Sequence, residues 1–186
     1  MNRRARIALV IAFLLLLAFL AHIWRRSHLE SNQDKNILAA SRKYSVDPAL
    51  IKAVIWQESR FDPGATGGKG EIGLMQIMPA TGGEWAEAQR VPLFAKLMLR
   101  DPKRNIDCGA WYLSKLLRRY PATDNPIPYA LADYNAGRSN VLKWMKGSAT
   151  TNSAAFINAI GFPSTQHYVR AVMEQRLKYK AQFVKD

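Results

Sequence analysis

The chain has 186 residues, 48% of them hydrophobic, with 27 Lys and Arg against 14 Asp and Glu, a formal charge of +13. That length accommodates one domain of ordinary size beside a short appendage and excludes two. The single cysteine, Cys108, excludes an intramolecular disulfide; lying between Ile106 and Ala110 in a helical pattern, it reads as a small core residue rather than a reactive thiol.

Residues 7–24 are apolar apart from His22, with an unbroken run of leucine from Leu14 to Leu17. Eighteen residues rising about 1.5 Å each cover most of a hydrocarbon core about 30 Å thick. Ala21 is the best small residue for signal cleavage, but Phe19 two positions earlier fits a cleavage site poorly, so an uncleaved signal anchor is expected rather than a removed signal peptide. No cysteine lies near the segment, which excludes a lipid anchor. Arg3, Arg4 and Arg6 before the segment, against Arg25 and Arg26 after it, give a slight bias toward an N-terminus inside. The expected organisation is an anchor in the cytoplasmic membrane over residues 1–26, a polar juxtamembrane linker over 27–36, and one extracytoplasmic (periplasmic) domain over 37–186. Without the five arginines of residues 1–26, 22 basic side chains face 14 acidic ones, a balance of +8. A basic surface attracts nucleic acid, anionic lipid or an acidic polymer. Behind an export anchor, and with no basic run after a recognition helix, nucleic acid is not the expected partner.

Residues 37–44 look helical. Asp47-Pro48 is an N-cap followed by proline at the first helical position, so a second helix begins there. Along it Leu50, Ile51, Val54 and Ile55 form an apolar stripe, and Glu58 falls on the same stripe, four residues after Val54 and three after Ile55. A carboxyl at the end of a core-facing stripe is partly desolvated, which raises its pKa and suits it to general acid catalysis near neutral pH. The plainer reading is a solvated helix end with Glu58 paired to Arg60. Residues 64–73 hold five glycines and form a loop or small hairpin. Residues 105–120 make the clearest amphipathic helix, with Ile106, Ala110, Leu113, Leu117 and Tyr120 on one face. After a proline-rich connection over 121–128, residues 127–136 read as a buried helix ended by Gly137. Residues 165–183 form a last helix with Tyr168, Val172 and Met173 turned inward. No alternating strand-length run appears outside the glycine loop, so the domain is expected to be mostly helical with little sheet.

Three blocks occur in order: Glu58-Ser59, then Gly73-Leu74-Met75-Gln76-Ile77-Met78-Pro79-Ala80-Thr81, then Ala132-Asp133-Tyr134-Asn135-Ala136-Gly137. Together they resemble the catalytic domain of the soluble-lytic-transglycosylase family, which has a lysozyme-like α+β fold. The resemblance runs from about residue 37 to about residue 180. Asn105-Ile106 with Gly109 and Leu113, and Thr165 with Tyr168-Val169, match weaker family positions.

The resemblance implies that Glu58 protonates the bond between N-acetylmuramic acid and N-acetylglucosamine in peptidoglycan. It then takes a proton from the C6 hydroxyl of the muramic residue, which closes onto C1 as a 1,6-anhydro end. The substrate's own N-acetyl group assists at C1, so no metal or organic cofactor is implied, and no His/Cys/Asp cluster has ligand spacing. Met75 and Gln76 would line the sugar cleft, although Met75 reads equally well as core filling. Tyr134 and Asn135 would close the far side, Asn135 offering a donor and an acceptor. Tyr168 would orient the acid; taken alone it reads as a core tyrosine. An envelope glycan with acidic stem peptides suits the basic charge, as does an ordinary solvated surface.

The sequence departs from the family pattern in three places. Gly67, beside Thr66, stands where many members carry serine; Gly70-Glu71 stands where Gly-Ala is frequent; Asp133 stands where alanine is common. Glu71 and Asp133 are expected to be surface charges pointing away from the cleft. If either instead activated water, the domain would be a muramidase. The reading from a different class is a catalytically silent glycan-binding domain, against which the retention of Glu58 argues.

Overall fold

The structure is a computed structural model and describes residues 3–183. Contacts divide the chain into two units, residues 1–34 and 35–186. The first is built on helix α1, Arg3–Ser31. Its described apolar side chains lie open on every side, among them Phe13, Leu15, Phe19 and Trp24. Among the described residues no helix is long and apolar enough to cross a membrane. The side chains of Arg6, His22, Arg25 and Arg26, on which the anchor expectation draws, lie outside the described residues. The stretch expected as a linker is helical except at Asn32 and Gln33, because α2, Asp34–Tyr44, begins at once with Asp34 in its first turn.

Among the described residues the second unit has helices and turns but no strand, only isolated antiparallel pairings of Thr66 with Ile72 and Ile72 with Ile77. Helix α3, Pro48–Ser59, starts as its sequence dictates: Asp47 Oδ1 accepts the Ala49 N–H at 2.9 Å, and Pro48 occupies the first turn. Leu50, Ile51, Ala53, Val54 and Ile55 are all 1% exposed or less, so α3 is buried around its whole girth rather than along one stripe. Each large apolar side chain so buried contributes about 1.5–3 kcal/mol. Even Lys52 is buried, its Nζ donating to Gln182 Oε1 at 2.9 Å above the Tyr179 ring. Helix α3 packs chiefly on the last helix, here α9, Pro163–Phe183, and more lightly on α5, Pro102–Leu117. Between them come α4, Pro79–Ala88, and, after α5, α6, Pro126–Ala136, which packs on both α5 and α9. Two short helices, α7 (Arg138–Trp144) and α8 (Ser153–Ala159), complete the unit.

Two details of α5 differ from the amphipathic pattern. Asp101 caps it by accepting the Arg104 N–H at 2.8 Å, so it starts three residues earlier than periodicity indicates. It ends at Leu117, where Leu116 rather than Leu117 is fully buried, and Tyr120 reaches the core from the turn beyond the helix. Cys108 is buried, its thiol pushed up by desolvation, as a core residue should be. Helix α6 ends where Gly137, at φ 83°, donates its N–H back to Asp133 O at 2.8 Å.

The glycine-rich segment is fastened to this core by Asn105 on α5. Fully buried, Asn105 accepts the Met75 N–H at 2.8 Å and donates to the carbonyls of Ile72 and Leu99 at 2.8 and 2.7 Å. Gly73 admits it: a Cβ there would meet Asn105 Nδ2 at 2.5 Å and Leu99 O at 2.7 Å. Replacing Asn105 by alanine strands two buried main-chain groups, Met75 N–H and Leu99 O, each worth about 1–3 kcal/mol when left unpaired, while Ile72 O keeps the Ile77 N–H. Urea unfolding should therefore show Asn105→Ala destabilised by about 3 kcal/mol or more, against near-neutral change for an exposed substitution such as Lys103→Ala.

Candidate active site

The last turn of α3 delivers Glu58 to the edge of the core, half-buried. Tyr168 of α9, 5% exposed, donates its hydroxyl to Glu58 Oε1 at 2.6 Å. Burial pushes the Glu58 carboxyl up from its ordinary 4.5 to about 7; the Tyr168 hydrogen bond works against that rise, and the negative charge of Glu71 adds to it. Burial likewise holds the Tyr168 hydroxyl well above its usual range, so it stays a donor. Arg60, the partner in the plainer reading, lies with its guanidinium 3.3 Å from the centre of the Trp56 ring.

The segment from Gly73 to Ile77 lies beneath the acid and is held by its main chain. Ser59 Oγ donates to Leu74 O at 2.7 Å, and Tyr134 Oη donates to Met75 O at 2.6 Å. Helix α3 and helix α6 thereby grip successive carbonyls of one strap. Met75 is fully buried: its side chain fills the core against Gly109, where a Cβ would meet Met75 Cε at 2.7 Å. Of its two readings the core-filling one holds, and what Met75 offers the site is a backbone that places Tyr134. Gln76, forced to φ 46°, donates Nε2 to Gly73 O at 2.9 Å and lines the cleft.

The cleft itself has a volume of about 370 Å³. Glu58, Gln76, Met78, Tyr134 and Asn135 form one part of its wall, and the glycine turn supplies the rest through Gly67, Gly68, Lys69 and Glu71. Asn135 Oδ1 accepts the Thr165 hydroxyl at 2.8 Å, which leaves its amide nitrogen to donate. The structure thus brings together Glu58, Gln76, Tyr134, Asn135 and Tyr168 and leaves only the Met75 side chain outside. Three cleft or support residues had no role assigned from the sequence. Met78, 40% exposed on the wall, is one, and its exposure directly after the buried Ile77 is invisible to composition. Lys69 and Ser59 are the others, the second signalled only by its place next to the acid.

Both extra carboxylates sit differently from expectation. Asp133 is no surface charge: it is 2% exposed, with Oδ2 accepting from Arg119 Nη1 at 2.9 Å and from the Tyr120 hydroxyl at 2.7 Å. It ties α6 to the turn that follows α5 and is not part of the cleft wall. Glu71 was expected to point away, yet it lines the cleft with Glu58, because the turn between Gly67 and Gly70 folds it back. Among the described residues no three His, Cys, Asp or Glu side chains converge on a metal position.

The chain belongs to the transglycosylase SLT domain family, whose profile matches residues 35–157. The membrane-bound lytic murein transglycosylase C of Serratia proteamaculans (strain 568) is 34% identical over 149 residues, which cover 72% of this chain and 40% of that protein. The soluble lytic murein transglycosylase of Escherichia coli (strain K12) is 32% identical over 137 residues, covering 73% of this chain and 21% of that one. Among solved structures, an inactive mutant of the lytic transglycosylase Slt from Pseudomonas aeruginosa superposes with a TM-score of 0.73 at 30% identity, over 80% of this chain and 24% of that chain. The complex of the 70-kDa soluble lytic transglycosylase with bulgecin A gives 0.73 at 26% identity, over 82% of this chain and 24% of that one. The chain therefore spans well under half the length of these relatives.

The titration of Glu58 has a sign that can be measured. Between 4.5, where the unfolded chain titrates, and about 7, the folded state holds a proton that the unfolded state has lost. The stability this carries is full below pH 4.5 and lost as pH rises to 7, by at most about 3 kcal/mol at 1.36 kcal/mol per unit. Urea unfolding of Glu58→Gln should lack that slope and exceed the parent's stability at pH 8. Tyr168→Phe removes the interaction that lowers the Glu58 pKa, so the alkaline limb of its activity profile should move to higher pH. Its rate should fall on the order of 10- to 100-fold from misorientation of the acid.

Proposed function

We propose that this protein is a peptidoglycan lytic transglycosylase that cleaves the β-1,4 bond between N-acetylmuramic acid and N-acetylglucosamine. The observation that carries the proposal is the Glu58 carboxyl at the cleft wall, kept protonated up to about pH 7 by burial and aimed by Tyr168. An acid in that state gives its proton to the glycosidic oxygen as the bond to C1 breaks. The leaving sugar departs as an alcohol, and positive charge gathers at C1, where the substrate's N-acetyl oxygen assists. Glu58, now a carboxylate, takes the proton of the C6 hydroxyl as that oxygen bonds to C1. The acid is regenerated and no water is consumed. Gln76 and Asn135 present amide groups along the wall that Tyr134 shares, suited to the N-acetyl and hydroxyl groups of the glycan. The family membership and the names of the relatives support the same activity.

Digestion of purified sacculi followed by mass spectrometry tests this. Products should end in 1,6-anhydro-N-acetylmuramic acid, about 18 Da (one water) lighter than the reducing ends a hydrolase leaves. A folded Glu58→Gln protein should lose on the order of 10²–10⁴ in rate, or more because one group serves twice. Substantial turnover by that variant would remove Glu58 from the mechanism. One observation favours a second reading: Glu71 is a second carboxylate on the cleft wall, the arrangement a water-activating muramidase needs. Predominant reducing ends would decide for it. Asp133, tied into its buried ion pair, offers no such base.

We further infer that residues 1–26 anchor the protein in the cytoplasmic membrane as an uncleaved single span, N-terminus inside. Residues 27–36 would be the juxtamembrane segment, and 37–186 the catalytic domain on the extracytoplasmic side. The open apolar side chains of α1 support this reading, as does the membrane-bound relative. The intact protein should then stay with the membrane through carbonate extraction; a soluble mature form beginning near residue 22 would show that the segment is cleaved.

A further inference from the structure

Glu71 occupies a seat that exists only because residue 67 has no side chain. A Cβ on Gly67 would fall well under 3 Å from Glu71 Oε2, 2.9 Å from its Cδ and 2.8 Å from Gln76 Oε1. The main chain fixes the carboxylate there. Gly67 N–H donates to Glu71 O at 2.9 Å, Gly70 takes φ 89° to close the turn, and Lys69 N–H donates to Glu71 Oε2 at 2.9 Å. Among the described residues of the cleft wall, Glu58 and Glu71 are the two acids. One is a proton donor at neutral pH; the other accepts one backbone N–H, from Lys69, on a turn closed by its own main chain, which favours a fixed, preorganised charge over a mobile one. The cleft between them is about 370 Å³, so a sugar ring inside it lies within reach of both.

We propose that Glu71 is an electrostatic catalytic residue: a fixed negative charge, seated over Gly67, that stabilises the positive charge developing at C1 of the bound sugar. It neither bonds to carbon nor takes a proton. The inference rests on the transglycosylase reading of the same cleft and adds to it a group that reading does not require. The charge also reaches Glu58, where it opposes loss of the acidic proton. Gly67 and Glu71 then form one device, and replacing either alone should break it.

Steady-state kinetics on the full-length protein in detergent, with sacculi as substrate, tests this alongside circular dichroism and melting curves. Glu71→Gln keeps the size of the side chain and an acceptor for the Lys69 N–H but removes the charge. Its kcat should fall on the order of 10- to 100-fold with KM within about twofold, since the lost interaction belongs to the transition state. Its products should still be anhydro ends, and its alkaline limb should move to lower pH, a change that a merely structural role would not produce. Glu71→Asp should recover a large part of the rate. Gly67→Ser should cost at least as much as Glu71→Gln in the native background and clearly less in a Glu71→Ala background, where only its contact with Gln76 Oε1 remains. Should Glu71→Gln fold poorly, Glu71→Asp and Gly67→Ser carry the same comparison. A Glu71→Gln enzyme within twofold of the parent and with an unmoved pH limb would overturn the proposal, as would a loss confined to KM. Reducing-end products that vanish in Glu71→Gln would also overturn it, by making Glu71 a base. The product made by the parent enzyme judges the transglycosylase reading separately: anhydro ends with an indifferent Glu71 sink only the inference made here.

Discussion

The structure of the domain turns on one constraint: an acid must be kept at the end of a helix that is otherwise buried on all sides. Helix α3 is buried around its girth, so its position is fixed by packing against α9, and the desolvation that raises Glu58 follows from that packing. Tyr168 comes from the helix that does most of the covering. The contact that buries the acid therefore also aims it. Raising the Glu58 carboxyl by burial costs stability as pH rises from 4.5 to about 7, and the apolar side chains of α3 and α9 offset that cost within the same interface.

A second constraint is how the strap from Gly73 to Ile77 is held. It has no strand partner beyond two isolated pairings; main-chain carbonyls take the N–H groups of Gly73, Gln76 and Ile77, and side chains satisfy several of the rest. Asn105 takes the Met75 N–H and gives to Ile72 O, Ser59 gives to Leu74 O, and Tyr134 gives to Met75 O. Three different helices therefore write their positions into one five-residue segment. Glycine at 73 and at 109 is required for this, at the first position by Asn105 and at the second by the Met75 side chain. The apparent sequence motif is thus largely a packing device, and Gln76 is the part of it that faces the cleft.

Much of this was legible in the chain because it is local. Asp47-Pro48 names the start of α3, Gly137 the end of α6, and a spacing of three and four residues places Glu58 beside Ile55 and Val54. What failed to be legible depended on partners distant in sequence. Whether Asp133 is a surface charge or a buried one is decided by Arg119 and Tyr120, which approach it from the turn after α5. The fate of Leu116 against Leu117 is decided by the helix ending there, where a strict repeat no longer applies. Met75 has equal reasons to fill a core or touch a sugar until Gly109 opens a space for it. Glu71 turns inward through a close tolerance between a missing Cβ and a carboxylate, which no periodicity records.

The turn directly after the acid shows how the fold absorbs strain at the site. Arg60 and Phe61 both take left-handed backbone, at φ 53° and 64°, a conformation unfavourable for residues with a Cβ and especially for a bulky one. Helix α3 stops at Ser59, directly after Glu58, with Arg60 as its C-cap. Stopping there requires a sharp reversal, and no glycine is present at either position to make it easily. Burial of Phe61, 3% exposed, and the bonds from Arg60 N–H to Trp56 O and from Asp62 N–H to Ser59 O hold the reversal in place. Gln76 repeats the pattern elsewhere on the cleft wall, at φ 46°, with its N–H donating to Gly73 O. Strained backbone therefore occurs both directly after the proton donor and in the strap, and each instance is held by core packing or main-chain hydrogen bonds rather than by contact with a ligand. A cleft built this way is preorganised before any glycan arrives, so substrate binding energy is not consumed in shaping it.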